Sequence, residues 1–297
     1  MTTELLRDYQ VKDFMSKGVA SVTEETRASR AIELMVAREI GCLAVLGKAG
    51  PIGLFTERDL VTALTKWPDL GGRRVGDLMD VTISRTSPAL RPQDAAREMT
   101  DTKGRLFVYE GGALVGIVTA TDIVKVIWRM GVAFEIDEVI SRRVVTAETK
   151  EPVDSVVRLM NDHSVGSVIL TENEVPRGIF TERDLLNRVL YARLGLDQPV
   201  TKAATFPLVS AELGINGGEA THAMVARKVK RLPLMQDRKL AGIVTARDIV
   251  DGYAYPSESR KTDLEIRMAV NYGEVCPLCH TRIDDRGLCG CDTMGGG

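Results

Sequence analysis

The sequence predicts an α/β fold made of four copies of one β-α-β-β-α unit, paired into two modules, with a small metal-binding knot at the C-terminal end. Three observations predict it. Phe55-Thr56-Glu57-Arg58-Asp59-Leu60 recurs unchanged at 180–185. Gly116-Ile117-Val118-Thr119-Ala120-Thr121-Asp122-Ile123-Val124 recurs at 242–250 with only Arg247 differing. The aspartates they share, Asp59, Asp122, Asp184 and Asp248, stand 63, 62 and 64 residues apart, and Met35, Met99, Met160 and Met224 precede them by 24, 23, 24 and 24. A fixed period of this length marks a repeat architecture. The first copy resembles the third and the second the fourth, as expected of a unit doubled and then doubled again. Copies at 9–66 and 75–128 therefore form one module and copies at 137–190 and 198–252 another, joined through Arg129-Met130-Gly131-Val132.

Each element follows from local pattern. In the first copy Ile32, Met35, Val36 and Ile40 recur at i, i+3, i+4 and i+8, one apolar face of a helix. Two short β-rich runs follow, 42–46 and 51–56, turned by Gly47-Lys48-Ala49-Gly50. Asp59-Leu60-Val61-Thr62-Ala63-Leu64 opens a second helix. The other copies keep the plan, turning at Gly111-Gly112, Glu172-Asn173-Glu174 and Gln236-Asp237-Arg238. Such a unit leaves one sheet face uncovered until a second copy packs on it, so pairing is physically required.

Composition narrows the function classes. The 297 residues are 44% hydrophobic, 27% charged and 5% aromatic, with a net charge of −2, which is an ordinary globular balance without a global positive field for nucleic acid or acidic lipid. No run of 18 apolar residues would span a membrane, and the N-terminus carries no basic and apolar leader pattern. Four of the five cysteines lie in the last 22 residues and Cys42 stands alone, which suits a reducing, cytoplasmic compartment. His163 and His222 fall in first helices of their copies, no nucleophile stands in a recognisable setting, and no second acid pairs with the repeated Asp, so catalysis is not expected.

The repeated element is Gly–apolar–apolar–Thr–x–x–Asp. One reading is a capping box, in which Thr56, Thr119, Thr181 and Thr245 cap the helix and the Asp at N3 reaches back. The other is a sugar-phosphate site. A glycine three residues before each Thr lets something approach the backbone closely, an Asp carboxylate accepts a vicinal diol, and a hydroxyl with free helix N–H groups suits phosphate. Capping alone does not explain why the acid is Asp four times, or why the glycine recurs.

These segments, 53–59, 116–122, 178–184 and 242–248, with the helix and strand pair before each, resemble the CBS domain family over all but the ends of the chain. The resemblance implies that paired repeats form Bateman modules whose clefts bind adenosyl ligands such as AMP, ADP, ATP or S-adenosylmethionine. It implies that Asp59, Asp122, Asp184 and Asp248 hold ribose hydroxyls, and that Thr56, Thr119, Thr181 and Thr245 contact phosphate or ribose. Adenine would lie on backbone at Gly41, Gly104, Gly166 and Lys230. Arg58, Arg183 and Arg247 follow the motif Thr by two residues and are candidates for phosphate, or else solvated arginines on a helix's first turn. Thr121 takes that place in the second copy, so its cleft is expected to be the weakest for charged nucleotides. The basic run Arg227-Lys228-Val229-Lys230-Arg231 reads as a solvated helix end or a phosphate clamp beside the fourth cleft.

Beyond the repeats, 253–273 reads as a linker and short helix (264–270), and 274–293 as a knot. Cys276-Pro277-Leu278-Cys279 and Cys289-Gly290-Cys291 supply four thiolates for a structural zinc, with iron as the next metal for such a cage. The knot resembles a small zinc ribbon, although the second pair is one residue tighter than the usual knuckle. Arg282 and Arg286 cancel Asp284 and Asp285, so protein contact fits it better than DNA. The expected function is a non-enzymatic regulator that senses an adenosyl ligand by rearrangement of its paired modules, read by a protein effector, as one chain or a homodimer. The alternative is a zinc-ribbon nucleic-acid or transcription-associated binder regulated by its repeats.

Overall fold

The computed structural model describes residues 9–256 apart from 49, 101 and 103. The chain divides into a unit of residues 1–254, which holds all four repeats, and a unit of 255–297, of which only Tyr255 and Pro256 are among the described residues. The helix expected at 264–270 and the thiolates of Cys276, Cys279, Cys289 and Cys291 lie outside the described residues. Among the described residues no cluster of His, Cys, Asp and Glu could hold a metal ion, and no helix is long and apolar enough to cross a membrane.

Every repeat builds the same three-stranded sheet. In the first, Ser21–Thr23 runs parallel to Cys42–Gly47, which pairs antiparallel with Gly50–Thr56. The counterparts are Arg85–Thr86, Arg105–Glu110 and Ala113–Thr119; Thr146–Glu148, Ser167–Glu172 and Val175–Thr181; and Ala211–Glu212, Arg231–Gln236 and Lys239–Thr245. A parallel pair needs a crossover, and the helices Ala28–Ala37, Pro92–Thr100, Val153–Asp162 and Gly217–Arg227 supply it. The antiparallel pairs close in tight turns. Gly111 and Gly112, Asn173 and Glu174, and Asp237 and Arg238 all take positive φ, between 50° and 83°, as a two-residue hairpin matched to strand twist requires. All four hairpins also shift register once near the motif glycine.

A second helix follows each hairpin: Glu57–Leu64, Ala120–Met130, Glu182–Asp184 continuing through Leu185–Leu190, and Ala246–Ala254. In the third repeat this helix widens by one residue per turn, with Tyr191 donating to the Leu186 carbonyl at 3.0 Å. The last helix runs past residue 252, where the linker was expected to begin, because Tyr253 is buried and packs on Phe134 with ring centroids 6.1 Å apart. The first helix stops sooner than its apolar spacing predicts. It ends at Ala37, Glu39 turns left-handed at φ 55°, and the Ile40 N–H donates back to Met35 at 3.0 Å, so Ile40 lies beyond the helix. Ser164 and Lys228 make the same reversal in repeats three and four.

Packing has two levels. Each repeat's leading segment crosses onto its partner's sheet: Ser16–Lys17 pairs with Ala113–Thr119, and single bridges join Leu54 to Asp80, Ile179 to Thr205 and Ser141 to Ile243. The sheet faces of repeats one and two then close on Ala44, Leu54, Phe107 and Ile117. The helices pack between modules. One core joins Met35, Phe55 and Leu60 of the first repeat to Met160, Phe180 and Leu185 of the third. Helix Pro92–Thr100 packs on Ala246–Ala254, and Ala120–Met130 on Gly217–Arg227, which does the same for repeats two and four. The two modules therefore join within one chain.

Candidate functional site

The motif glycines answer to the chain itself. A Cβ on Gly53 would lie 2.5 Å from the Asp80 carbonyl oxygen, one on Gly116 3.0 Å from that of Ser16, one on Gly178 2.8 Å from that of Thr205, and one on Gly242 3.1 Å from that of Ser141. In every case the oxygen belongs to the partner repeat's leading segment. The close approach expected at these positions is thus a crossing strand.

The Thr and Asp of each motif form a capping box. Thr56 N–H and Oγ1–H donate to Asp59 Oδ2 at 2.8 and 2.7 Å, and Thr119 does the same to Asp122 at 3.0 and 2.7 Å. Thr181 donates to Asp184 Oδ2 at 3.0 and 2.6 Å, and Thr245 N–H to Asp248 Oδ2 at 2.7 Å. One carboxylate oxygen therefore serves the helix, and in the second repeat the other, Asp122 Oδ1, lies 3.9 Å from Lys125 Nζ. In the third repeat that oxygen is taken: Asp184 Oδ1 accepts from Thr205 Oγ1 at 3.1 Å and faces Arg188 Nη1 at 3.3 Å. Arg188 also donates to the Ala203 and Ala204 carbonyls at 3.1 and 2.6 Å, which ties the fourth repeat's leader over Asp184. Ala63, Val126 and Gly252 occupy the equivalent position in the other repeats, so only the third is closed this way. Desolvation pushes the Asp184 carboxyl above the ordinary range against the pull of Thr181, Arg188 and Thr205, and desolvation likewise raises Asp248 against Thr245 and Arg247.

The four positions expected to carry adenine fall in register. The carbonyls of Gly41, Gly104, Gly166 and Lys230 accept the first N–H of the second helices, from Glu57, Ala120, Glu182 and Ala246, at 3.2, 3.1, 3.1 and 2.8 Å. Around them the structure assembles charges of which Glu57, Glu182 and Arg105 were not singled out in the sequence. Arg58 Nε meets Glu182 at 3.2 Å and Arg183 Nε meets Glu57 at 2.6 Å, a reciprocal pair between repeats one and three. Arg231 meets Glu182 at 2.8 Å. Desolvation works against the charge of Arg105, and Cys42, Glu57 and Glu182 more than offset it. The signal was present as an alternation: the residue after the motif Thr is Glu, Ala, Glu, Ala through the four repeats, and the residue after the adenine position is Cys, Arg, Ser, Arg.

The arginines singled out for phosphate are engaged by protein. Arg58 also donates to the carbonyls of Met160, Ser164 and Val165, capping the end of a third-repeat helix, and Arg247 donates to the Thr100 carbonyl at 2.9 Å. Arg183 both holds Glu57 and lines a recess of about 430 Å³. That recess is walled by the leader 16–20, by Ile40, Gly41 and Cys42, and by Thr119, Thr121 and Asp122. Lys230 completes it, so this lysine of the basic run lines the same recess as the second repeat's motif. Lys230 is exposed to the recess yet ringed by protein. Desolvation first, then Arg183, Arg105 and Arg231, hold its ammonium below the usual lysine value, with Glu57 opposing.

Paired three-stranded units with exchanged leaders and a capped Asp in each define a tandem-repeat α/β fold. Residues 11–66, 75–129, 136–191 and 201–255 match the CBS domain, and the chain belongs to the CBS domain family. It is 25% identical over 287 residues to protein MJ1404 of Methanocaldococcus jannaschii, covering 88% of this chain and 66% of that protein. It is 32% identical over 158 residues to protein MK0525 of Methanopyrus kandleri, covering 49% and 81%. Its fold matches the crystal structure of protein MJ1225 from M. jannaschii with a TM-score of 0.71 at 17% identity, over 83% of this chain and 100% of that one.

Proposed function

We propose that this chain is a regulatory protein that binds an adenosyl ligand (AMP, ADP, ATP or S-adenosylmethionine) between its paired CBS repeats and signals by rearranging its two modules. The observation that carries the reading is the recess beside Asp122. It combines a carboxylate fixed at a helix start, a Thr hydroxyl, the backbone of Gly41 just ahead of the strand Cys42–Gly47 and a volume suited to a nucleoside. In this reading Asp122 holds the ribose diol through the oxygen that Thr119 does not use, and Asp59 and Asp248 hold further ligands. Asp184, already occupied by Thr205 and Arg188, does so least. Because repeats one and three share a core, a ligand that favours one arrangement of the first module acts on the second, and a protein effector reads the difference.

Calorimetric titration with the four ligands, on the wild type and on Asp59→Ala, Asp122→Ala, Asp184→Ala and Asp248→Ala, tests this. Micromolar binding is expected, with the largest loss in Asp122→Ala and the smallest in Asp184→Ala. No heat with any ligand would return the repeated Thr and Asp to a purely structural cap.

A further inference from the structure

The recess beside Asp122 belongs to the first module, yet two of its cations come from the second. Arg183 lies in the third repeat and Lys230 in the fourth. With Lys17 and Arg38 they place four cations on a lining whose only acids are Glu39 and Asp122. Behind it Arg105 and Arg231 act on Lys230 together with Arg183, Glu57 opposes them, and Glu182 meets Arg231 at 2.8 Å. Arg183 is aimed by its own partner. Glu57 holds its Nε at 2.6 Å, and where a Cβ on Gly41 would stand Glu57 Oε2 lies at 2.8 Å and Arg183 Nη2 at 3.3 Å, so it is the ion pair that faces the backbone proposed to carry the ligand.

We infer that this recess is a composite site, completed across the module boundary by Arg183 and Lys230, and that it selects adenosine phosphates over a cationic adenosyl ligand such as S-adenosylmethionine. The inference rests on the adenosyl-ligand reading above and names the ligand class within it. A phosphate group relieves the excess of positive charge and accepts from the guanidinium fork. A sulfonium adds to that excess. The arginine that Thr121 lacks is thereby supplied from the other module, which makes the second repeat's cleft the strongest for charged nucleotides and reverses the order expected from its sequence. A ligand held in this way bridges the two modules, giving its phosphate a direct hold on their arrangement.

The test is titration of the full chain at constant ionic strength with ATP, AMP, adenosine, S-adenosylmethionine and pyrophosphate, using wild type, Lys230→Met and Lys230→Arg. ATP and AMP are expected to bind at least tenfold more tightly than S-adenosylmethionine. Lys230→Met should lose most of that preference and Lys230→Arg should retain it, which separates a lost charge from a lost fold. Equal affinity for AMP and S-adenosylmethionine, or an unchanged preference in Lys230→Met, overturns the inference and leaves the adenosyl reading standing. Absence of binding by every nucleoside, with or without pyrophosphate binding, overturns both.

Discussion

Asp184 shows how one side chain divides the repeats. Its motif is the same as that of Asp59, yet Arg188 and Thr205 occupy the carboxylate oxygen that the capping box leaves over. Burial raises its folded pKa above the ordinary 3.8 despite those partners. A carboxyl raised in this way favours the protonated folded state, so its contribution to stability is complete below pH 3.8 and is lost as pH rises through the raised value. Asp184→Asn removes that titration. Urea unfolding from pH 3 to 7 (roughly the range that spans ordinary and raised carboxyl values) should show a flatter profile for the variant just above pH 3.8, and parallel profiles would contradict this account. Glu57, Glu182, Arg105 and Arg231 make the same point about charge. Their alternation through the four repeats marks them, while their immediate neighbours along the chain do not say which of them meet.

At the scale of elements, the hairpins were legible and the crossings were not. Gly111-Gly112, Asn173-Glu174 and Asp237-Arg238 carry residues able to take positive φ, and the strands meet there. The motif glycines were read as places of close approach, and that much is so. What approaches is the partner repeat's leader, because each sheet face is completed only by the other copy. Gly53→Ala would drive a methyl to 2.5 Å from the Asp80 carbonyl, where the strand cannot retreat, and should cost about 1–3 kcal/mol of stability. Gly72→Ala, with open space around it, should change stability by less than about 1 kcal/mol in the same urea experiment. Similar losses at both positions would argue against the crossing as the reason for the glycine.

For the whole molecule the decisive contacts lie between modules. Helix faces of repeats one and three share a core, and Arg58–Glu182 and Arg183–Glu57 lock the same boundary at its centre. Glu57 is buried, so removing its charge leaves Arg183 without the carboxylate it meets at 2.6 Å. Glu57→Gln should therefore destabilise by about 3 kcal/mol. The double variant Glu57→Gln/Arg183→Gln should lose less than the sum of the single losses, by about 1–3 kcal/mol, when unfolding is followed as a double-mutant cycle. Additive losses would mean that the pair does not couple the modules.

The sequence by itself determined the four-fold repeat, the order of strands and helices within it, the tight hairpins and the Thr-to-Asp spacing for which a capping box was one of two readings. Those features rest on interactions a few residues apart, such as the apolar spacing of a helix face, the i to i+3 reach of a capping box and the positive φ of a turn, and such interactions leave a readable pattern. Only the tertiary structure decided that repeat one packs on repeat three, that Arg58 and Arg183 hold carboxylates, and that Lys230 completes a recess in the other module. These contacts join residues up to a hundred or more positions apart, such as Arg58 with Ser164. A long-range charge pair depends on where folding brings two side chains and how much water it removes around them, which no local spacing encodes.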